Sequence, residues 1–305
     1  MNKNMLIATG TLLSLVVFIN KYKKKEETMN KAVVVLGSGR SGTSVLARAI
    51  NIIGVDLGSG FIKKNNTNPK GFFEDKKIAS RLKTRPFPKG FQYFSDIQPF
   101  RDELKQYVQE KFSAKEIWGW KDPRNNEFLE MWKQILKELN TEGNYLIIIR
   151  NPVDVIASYK RAYNRDENWA KRQWQLRTLL SLKETKKEKR VIVEYDELFN
   201  NSLQSLRRIA NTLNLPWPQD EATIKSELDE FIDPKLQHSN SGTNLKDFKK
   251  RQDIDQEIKK LYLLCLKGAK SQKYLQSKTF QSRVDKLYKS FLRKHGKLRV
   301  MPPKA

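Results

Sequence analysis

The stretch VVVLGSGRSGTS, Val33 to Ser44, decides the fold. Its first four residues are apolar and mostly β-branched, which suits a buried strand. A glycine-rich turn follows, and GTSVLARAINII (42–53) then has the spacing of a helix. A strand that turns sharply into a helix leaves unpaired N–H groups at the helix start, and these bind anions. Gly37, Gly39 and Gly42 match the dinucleotide fingerprint G-x-G-x-x-G, while Gly37 and Gly42 alone match the Walker spacing G-x-x-x-x-G.

Working outward, the strand pattern recurs. EIWGW (116–120), YLIIIR (145–150) and RVIVEYDEL (190–198) read as further strands. Between them lie helical stretches: a helix from about Phe73 to Leu82, another over 101–112, and one after Pro123 in KDPRNNEFLEMWKQILKEL. Asn151-Pro152 opens VDVIASYKRAY, and FNNSLQSLRRIANTLNL is amphipathic. RPFPKGFQYF (85–94), with two prolines, reads as a loop or lid. Alternation of strand and helix predicts an α/β fold, a P-loop-type parallel sheet of four to five strands with helices on both faces. From Asp247 the chain reads as a basic helical C-terminal region that packs on the core or extends from it. The expected division is therefore 1–28, 29–246 and 247–305.

The 305 residues carry a formal net charge of +25 and 30% charged residues, which points to an acidic partner or a very polar surface. A nucleic-acid or membrane-surface binder would fit the charge, but no nucleic-acid motif is evident. The one cysteine, Cys265, permits no intramolecular disulfide and fits a reducing compartment. The two histidines lie far apart and nothing has metal-ligand spacing, so no metal is expected. Met5 to Ile19 is an apolar run followed by KYKKK, short of the ~20 residues a spanning helix needs. It reads as a weak membrane anchor that leaves the rest of the chain cytoplasmic. Met29 offers a second natural start, just ahead of the first strand.

The Walker reading lacks its lysine: the residue after Gly42 is Thr43, and the positive charge sits at Arg40. The dinucleotide reading needs an acid ~20 residues on, and Asp56 comes early. A nucleotide kinase or a dinucleotide enzyme thus stays open on the loop alone. A third reading takes in more of the chain. GSGRSGTSVLARAI resembles the R-S-G-T form of the loop that grips the 5′-phosphosulfate in sulfotransferases, enzymes that use 3′-phosphoadenosine 5′-phosphosulfate. NPKGFFED (68–75) resembles the N-P-K-G-F-F-E stretch of a bacterial group of that family, and WKDPR (120–124) its K-D-P segment. IIIRNPVDVIASY (147–159) is similar to its 3′-phosphate site, and VIVEYDEL (191–198) to its Y-E-D-L strand end, with Asp196 and Glu197 in swapped order.

The resemblance implies sulfonate transfer to an acceptor hydroxyl or amine, an anionic glycan being one acceptor that fits the charge. Ser38, Gly39, Arg40, Ser41, Gly42, Thr43 and Ser44 would cradle the 5′-phosphosulfate. Arg150 and Ser158 would hold the 3′-phosphate, with Arg161 nearby, and Tyr195 would stack near the adenine or support its pocket. Arg40 and Lys121 would neutralise charge on the transferred group and leaving oxygen. The histidine base of the cytosolic enzymes is absent here, since no histidine precedes His238. Glu74 takes that role, with Asp75 as second choice, and Phe72-Phe73 would raise the Glu74 pKa by desolvation. The loop LQHSNSGTN (236–244), with His238 and Ser239, is a looser candidate to close over the nucleotide.

Overall fold

The computed structural model describes residues 29–84, 98–218, 220–232 and 244–296. The apolar run 5–19, the expected lid 85–94, and the loop 236–244 except Asn244 lie outside them. Four strands, β1 (Asn30–Leu36), β2 (Ile117–Lys121), β3 (Thr141–Ile149) and β4 (Lys189–Glu194), form one sheet in the order β2-β1-β3-β4. All three pairings are parallel, with Val33 opposite both Gly119 and Asn144. The expected parallel α/β sheet is observed, with four strands.

Thirteen α-helices accompany the sheet among the described residues. Those before β3 are α1 (Thr43–Ile52), α2 (Lys76–Thr84), α3 (Gln98–Phe112) and α4 (Leu129–Glu138). Next come α5 (Pro152–Tyr163) and α6 (Glu167–Glu184), then α7 (Tyr195–Asn200), α8 (Ser202–Leu213) and α9 (Glu221–Phe231). The C-terminal helices are α10 (Leu245–Lys250), α11 (Gln256–Lys270), α12 (Gln272–Leu275) and α13 (Lys278–His295).

Strand alternation sends successive side chains to opposite faces, so a sheet covered on both sides has two cores. Ala32, Val34, Leu36, Tyr145, Ile147 and Ile192 belong to one, with apolar residues of α2 to α6 and of the C-terminal helices. Val33, Val35, Leu146, Ile148, Val191 and Val193 belong to the other, with α1, α7, α8 and α9. The C-terminal helices share the first core: Phe248, Leu261, Cys265, Phe280, Val284 and Phe291 are buried in it. On edge strand β2, Phe112, Trp118 and Trp120 stack in series and Trp132 packs tilted on Trp120, so α3 and α4 cover that side.

Four local readings are corrected. Strand β3 begins at Thr141, four residues before Tyr145. The last strand stops at Glu194, and Tyr195 opens helix α7 with Asp196 and Glu197 in its first turn, where acids suit the helix dipole. Helix α2 starts at Lys76, not Phe73, because Phe73 holds a positive φ of 53° and Asp75 caps the helix, its carboxylate accepting from Ile78 N at 2.9 Å. Helix α6, between α5 and β4, has no counterpart in the sequence reading. It is buried without a break from Trp174 to Leu182, polar residues included, so it shows no one-sided apolar stripe.

Candidate functional site

Strand β1 connects outward to β2 on one side, and the chain then returns to β3 on the other. Ligands of open α/β sheets bind in the crevice at the carboxyl ends where the order reverses. A cavity of about 670 Å3 opens there. It is lined by the glycine-rich loop, the 62–74 segment, Lys121 to Arg124, Arg150, and aromatic residues of α5, α6, α7 and α9.

The loop's glycines admit close neighbours. A Cβ on Gly39 would lie 2.5 Å from the Tyr159 hydroxyl. One on Gly42 would lie 2.5 Å from the Tyr195 ring, and Gly42 has φ +90°. No side chain caps α1, so its first-turn amides keep their donor capacity beside the cavity. Gly39, Arg40, Gly42, Thr43 and Ser44 line the cavity. Ser38 and Ser41 lie beneath it, each 1% exposed, and the Ser41 hydroxyl has no partner among the described residues.

Arg40 has a positive φ of 67°, and its side chain crosses the crevice. Nε donates to Ser158 Oγ at 3.0 Å and Nη1 to the Thr67 carbonyl at 3.1 Å. Ser158 thus faces Arg40 and does not itself line the cavity, and exposed Arg161 does not line it either. Arg150 ends the β3 strand run, 7% exposed. Its Nη1 donates to the Arg40 carbonyl at 3.1 Å, and its guanidinium lies 4.0 Å above the Tyr195 ring. Burial pushes the Tyr195 phenol up against the opposing pull of Arg150.

Lys121 is the hub. Its ammonium, at the end of β2 and 2% exposed, donates to Glu74 Oε1 at 2.7 Å, the Phe72 carbonyl at 2.9 Å and Ser44 Oγ at 3.2 Å. Arg124 stands 3.5 Å from Glu74 Oε2 and is itself fixed by Asp122, whose Oδ1 accepts from Arg124 Nε at 2.7 Å. Glu74 therefore meets cations, not the apolar surroundings read from Phe72-Phe73. Backbone geometry is the reason: Phe73 turns away and packs on Phe61 and Phe231 with centroids 5.7 and 5.6 Å apart. Asp75 points elsewhere. It accepts from Tyr107 Oη at 2.8 Å, pairs with Lys111 and caps α2, and it is not part of the cavity wall.

Some site residues were not legible. Asn126, fully buried in the turn after β2, brackets Gly37: its Nδ2 donates to the Gly37 carbonyl at 3.0 Å and its Oδ1 accepts from Gly37 N at 3.3 Å. A lone Asn in a turn has no periodicity to mark it. Tyr163 and Trp169 line the cavity mouth with Arg165 stacked 5.1 Å over the Trp169 ring. Exposed aromatics flanking "NRDEN" were the available signal. Asp56, the ribose candidate of the dinucleotide reading, pairs with Lys115 at 2.8 Å and accepts from Gly58 N at 2.7 Å. The Lys115 hydrogen bond holds its carboxyl below the usual range, and it lies outside the cavity. Among the described residues no group of His, Cys, Asp and Glu is placed to hold a metal.

No family model matches the chain. No curated protein matches it. Among solved structures it is similar to the sulfotransferase domain from the curacin biosynthetic pathway, at 15% identity over 90% of this chain and 99% of that one, with a TM-score of 0.43. It is also similar to the sulfotransferase domain of the Synechococcus PCC 7002 olefin synthase, at 17% identity over 88% and 98%, TM-score 0.39. A mouse sulfotransferase complexed with PAP gives 16% identity over 88% and 90%, TM-score 0.39. No residue role is carried over from these.

Proposed function

We propose that this chain is a sulfotransferase that moves a sulfonate group from 3′-phosphoadenosine 5′-phosphosulfate to an acceptor hydroxyl or amine. One observation carries the reading. Residues from segments 37–44, 68–74 and 121–124, with Arg150 and Tyr195, scattered over the sequence, meet around one cavity, and each falls in a stretch that resembles the family.

In this reading the amides at the start of α1 and the Thr43 and Ser44 hydroxyls receive the phosphosulfate. Arg150 and Ser158 receive the 3′-phosphate, and Arg40 shifts from Ser158 toward the charge it neutralises. The acceptor oxygen or nitrogen attacks sulfur in line, the S–O bond to the nucleotide phosphate breaks, and the acceptor proton passes to Glu74. Lys121, already bonded to Ser44 and Glu74, is placed to follow charge onto the leaving oxygen. Arg124, Arg165, Arg177, Tyr163 and Trp169 also line the cavity, and this guanidinium and aromatic wall suits anionic ligands, an anionic acceptor among them.

The experiment is a thermal-shift series with adenosine 3′,5′-bisphosphate, ATP and NAD. A ligand of the native state stabilises by ~2.7 kcal/mol at a hundredfold excess over its dissociation constant. The bisphosphate is expected to raise Tm most. A larger shift with NAD would return the loop to the dinucleotide reading, and one with ATP to a kinase.

A further inference from the structure

Away from the crevice, α11 and α13 enclose a second groove of about 530 Å3. Leu263 and Leu264 of α11 and Leu287 of α13 line it with four exposed cations: Lys260 and Lys267 on one side, Arg283 and Lys286 on the other. None of the four forms an ion pair among the described residues, whereas Lys294 on the same helix pairs with Asp255 at 2.9 Å. A single acid, Glu257, closes one end beside Ser290, with Oγ to Oε1 at 3.4 Å. From residue 256 to 296 the sequence has eleven Lys and Arg against two Asp and Glu.

We infer that this groove is a binding site for an anionic phospholipid, the cations taking the headgroup phosphate and the leucines part of an acyl chain. Leu263, Leu264 and Leu287 give the groove an apolar wall between its two pairs of cations, the two kinds of surface that an acyl chain and a headgroup phosphate need side by side. Charge decides the headgroup, since clustered unpaired Lys and Arg are drawn to anionic leaflets. The groove stands independently of the donor-site reading.

The test is co-sedimentation of the full chain with phosphatidylcholine vesicles, with and without phosphatidylglycerol. The native chain should prefer the anionic vesicles by roughly tenfold or more. Lys260→Glu with Lys267→Glu should remove that preference. Lys186→Glu with Lys187→Glu, the same charge change at exposed positions elsewhere, should keep it. Leu263→Ser should weaken the binding that survives at high salt, where headgroup attraction is screened. Unchanged Tm and bisphosphate binding serve as fold controls. The inference is overturned if both charge pairs act alike, if Leu263→Ser has no effect, or if polyglutamate binds more tightly than the vesicles with the same dependence on Lys260 and Lys267.

Discussion

Glu74 Oε1 accepts from a buried ammonium inside the cavity, while the next carboxylate, Asp75, accepts from Tyr107 and Ile78 N outside it. Glu74 turns into the crevice and Asp75 turns out of it to cap α2, so one carboxylate serves the site and the other the scaffold. Glu74→Gln keeps the size and removes the basic function. It is expected to leave bisphosphate binding nearly unchanged and to slow transfer by ~10²–10⁴-fold in single-turnover measurements. Asp75→Asn breaks a buried pair with Lys111, a change that typically costs about 3–5 kcal/mol, and should appear as a lower Tm with turnover retained by the folded fraction. The opposite pattern would make Asp75 the base. Arg150 separates donor recognition from chemistry. Arg150→Ala should cost more than roughly tenfold in affinity for adenosine 3′,5′-bisphosphate and little for the 5′-monophosphate, read by calorimetry. Equal losses for both nucleotides would place the 3′-phosphate elsewhere. That the residues of this site were readable follows from their chemistry: a cation closing an apolar strand or an acid beside a glycine turn stands out. Asn126 does not, although it holds the loop as firmly as any of them.

At the scale of elements, the loop depends on α5. Gly39 leaves just the space that the Tyr159 hydroxyl fills, and that hydroxyl lies 3.5 Å from both Ser38 Oγ and Arg177 Nη1. Gly39→Ala drives a Cβ to 2.5 Å from this oxygen and should lower both Tm and bisphosphate affinity. Tyr159→Phe removes the oxygen; the nearest ring carbon is then 3.4 Å away, an ordinary contact. The double variant should therefore recover much of what Gly39→Ala loses, the coupling that a double-mutant cycle measures. Additive losses would mean that the loop and α5 are independent. Elements were legible wherever one face is apolar and the other wet, or where a strand is uniformly β-branched, as in β1, α1 and α8. Helix α6 is enclosed on all sides, and Gln175, Thr178 and Ser181 inside it break any apolar run. The start of β3 at Thr141-Glu142-Gly143-Asn144 is polar, held to β1 by the backbone ladder and to β4 by the Glu142–Lys189 ion pair at 2.5 Å, so composition gives no hint of it.

Across the whole molecule, the C-terminal helices complete a core begun by β1. Arg190 on β4 ties them down: its guanidinium donates to the carbonyls of Leu182 and Leu275, and its own carbonyl accepts from Gln272 at 2.8 Å. A chain ending at residue 246 would bare Ile192 and the inner side of α6, and is expected to lack the cooperative melting transition of the full chain; two separate transitions in the full chain would contradict this. Charge acts at the same scale. With 59 Lys and Arg against 34 Asp and Glu, most carboxylates have a cation near, and Glu138 and Asp253 are held low by such partners. Glu194 and Asp196, at the carboxyl end of β4, go the other way: burial raises both, and their acidic neighbours add to it. A carboxylate raised in the native state favours folding only while it is protonated. Its contribution is full below the unfolded value, ~4.3 for Glu, and is lost as pH rises through the native one. At neutral pH Glu194 therefore weakens the fold. Glu194→Gln should raise Tm at pH ~7, and the gain should shrink as pH falls through the raised native value and vanish below ~4. Melting curves of both chains across that range decide it: a gain that is constant with pH would trace the effect to packing, and a loss at neutral pH would mean that the ionised carboxylate is bound by a cation.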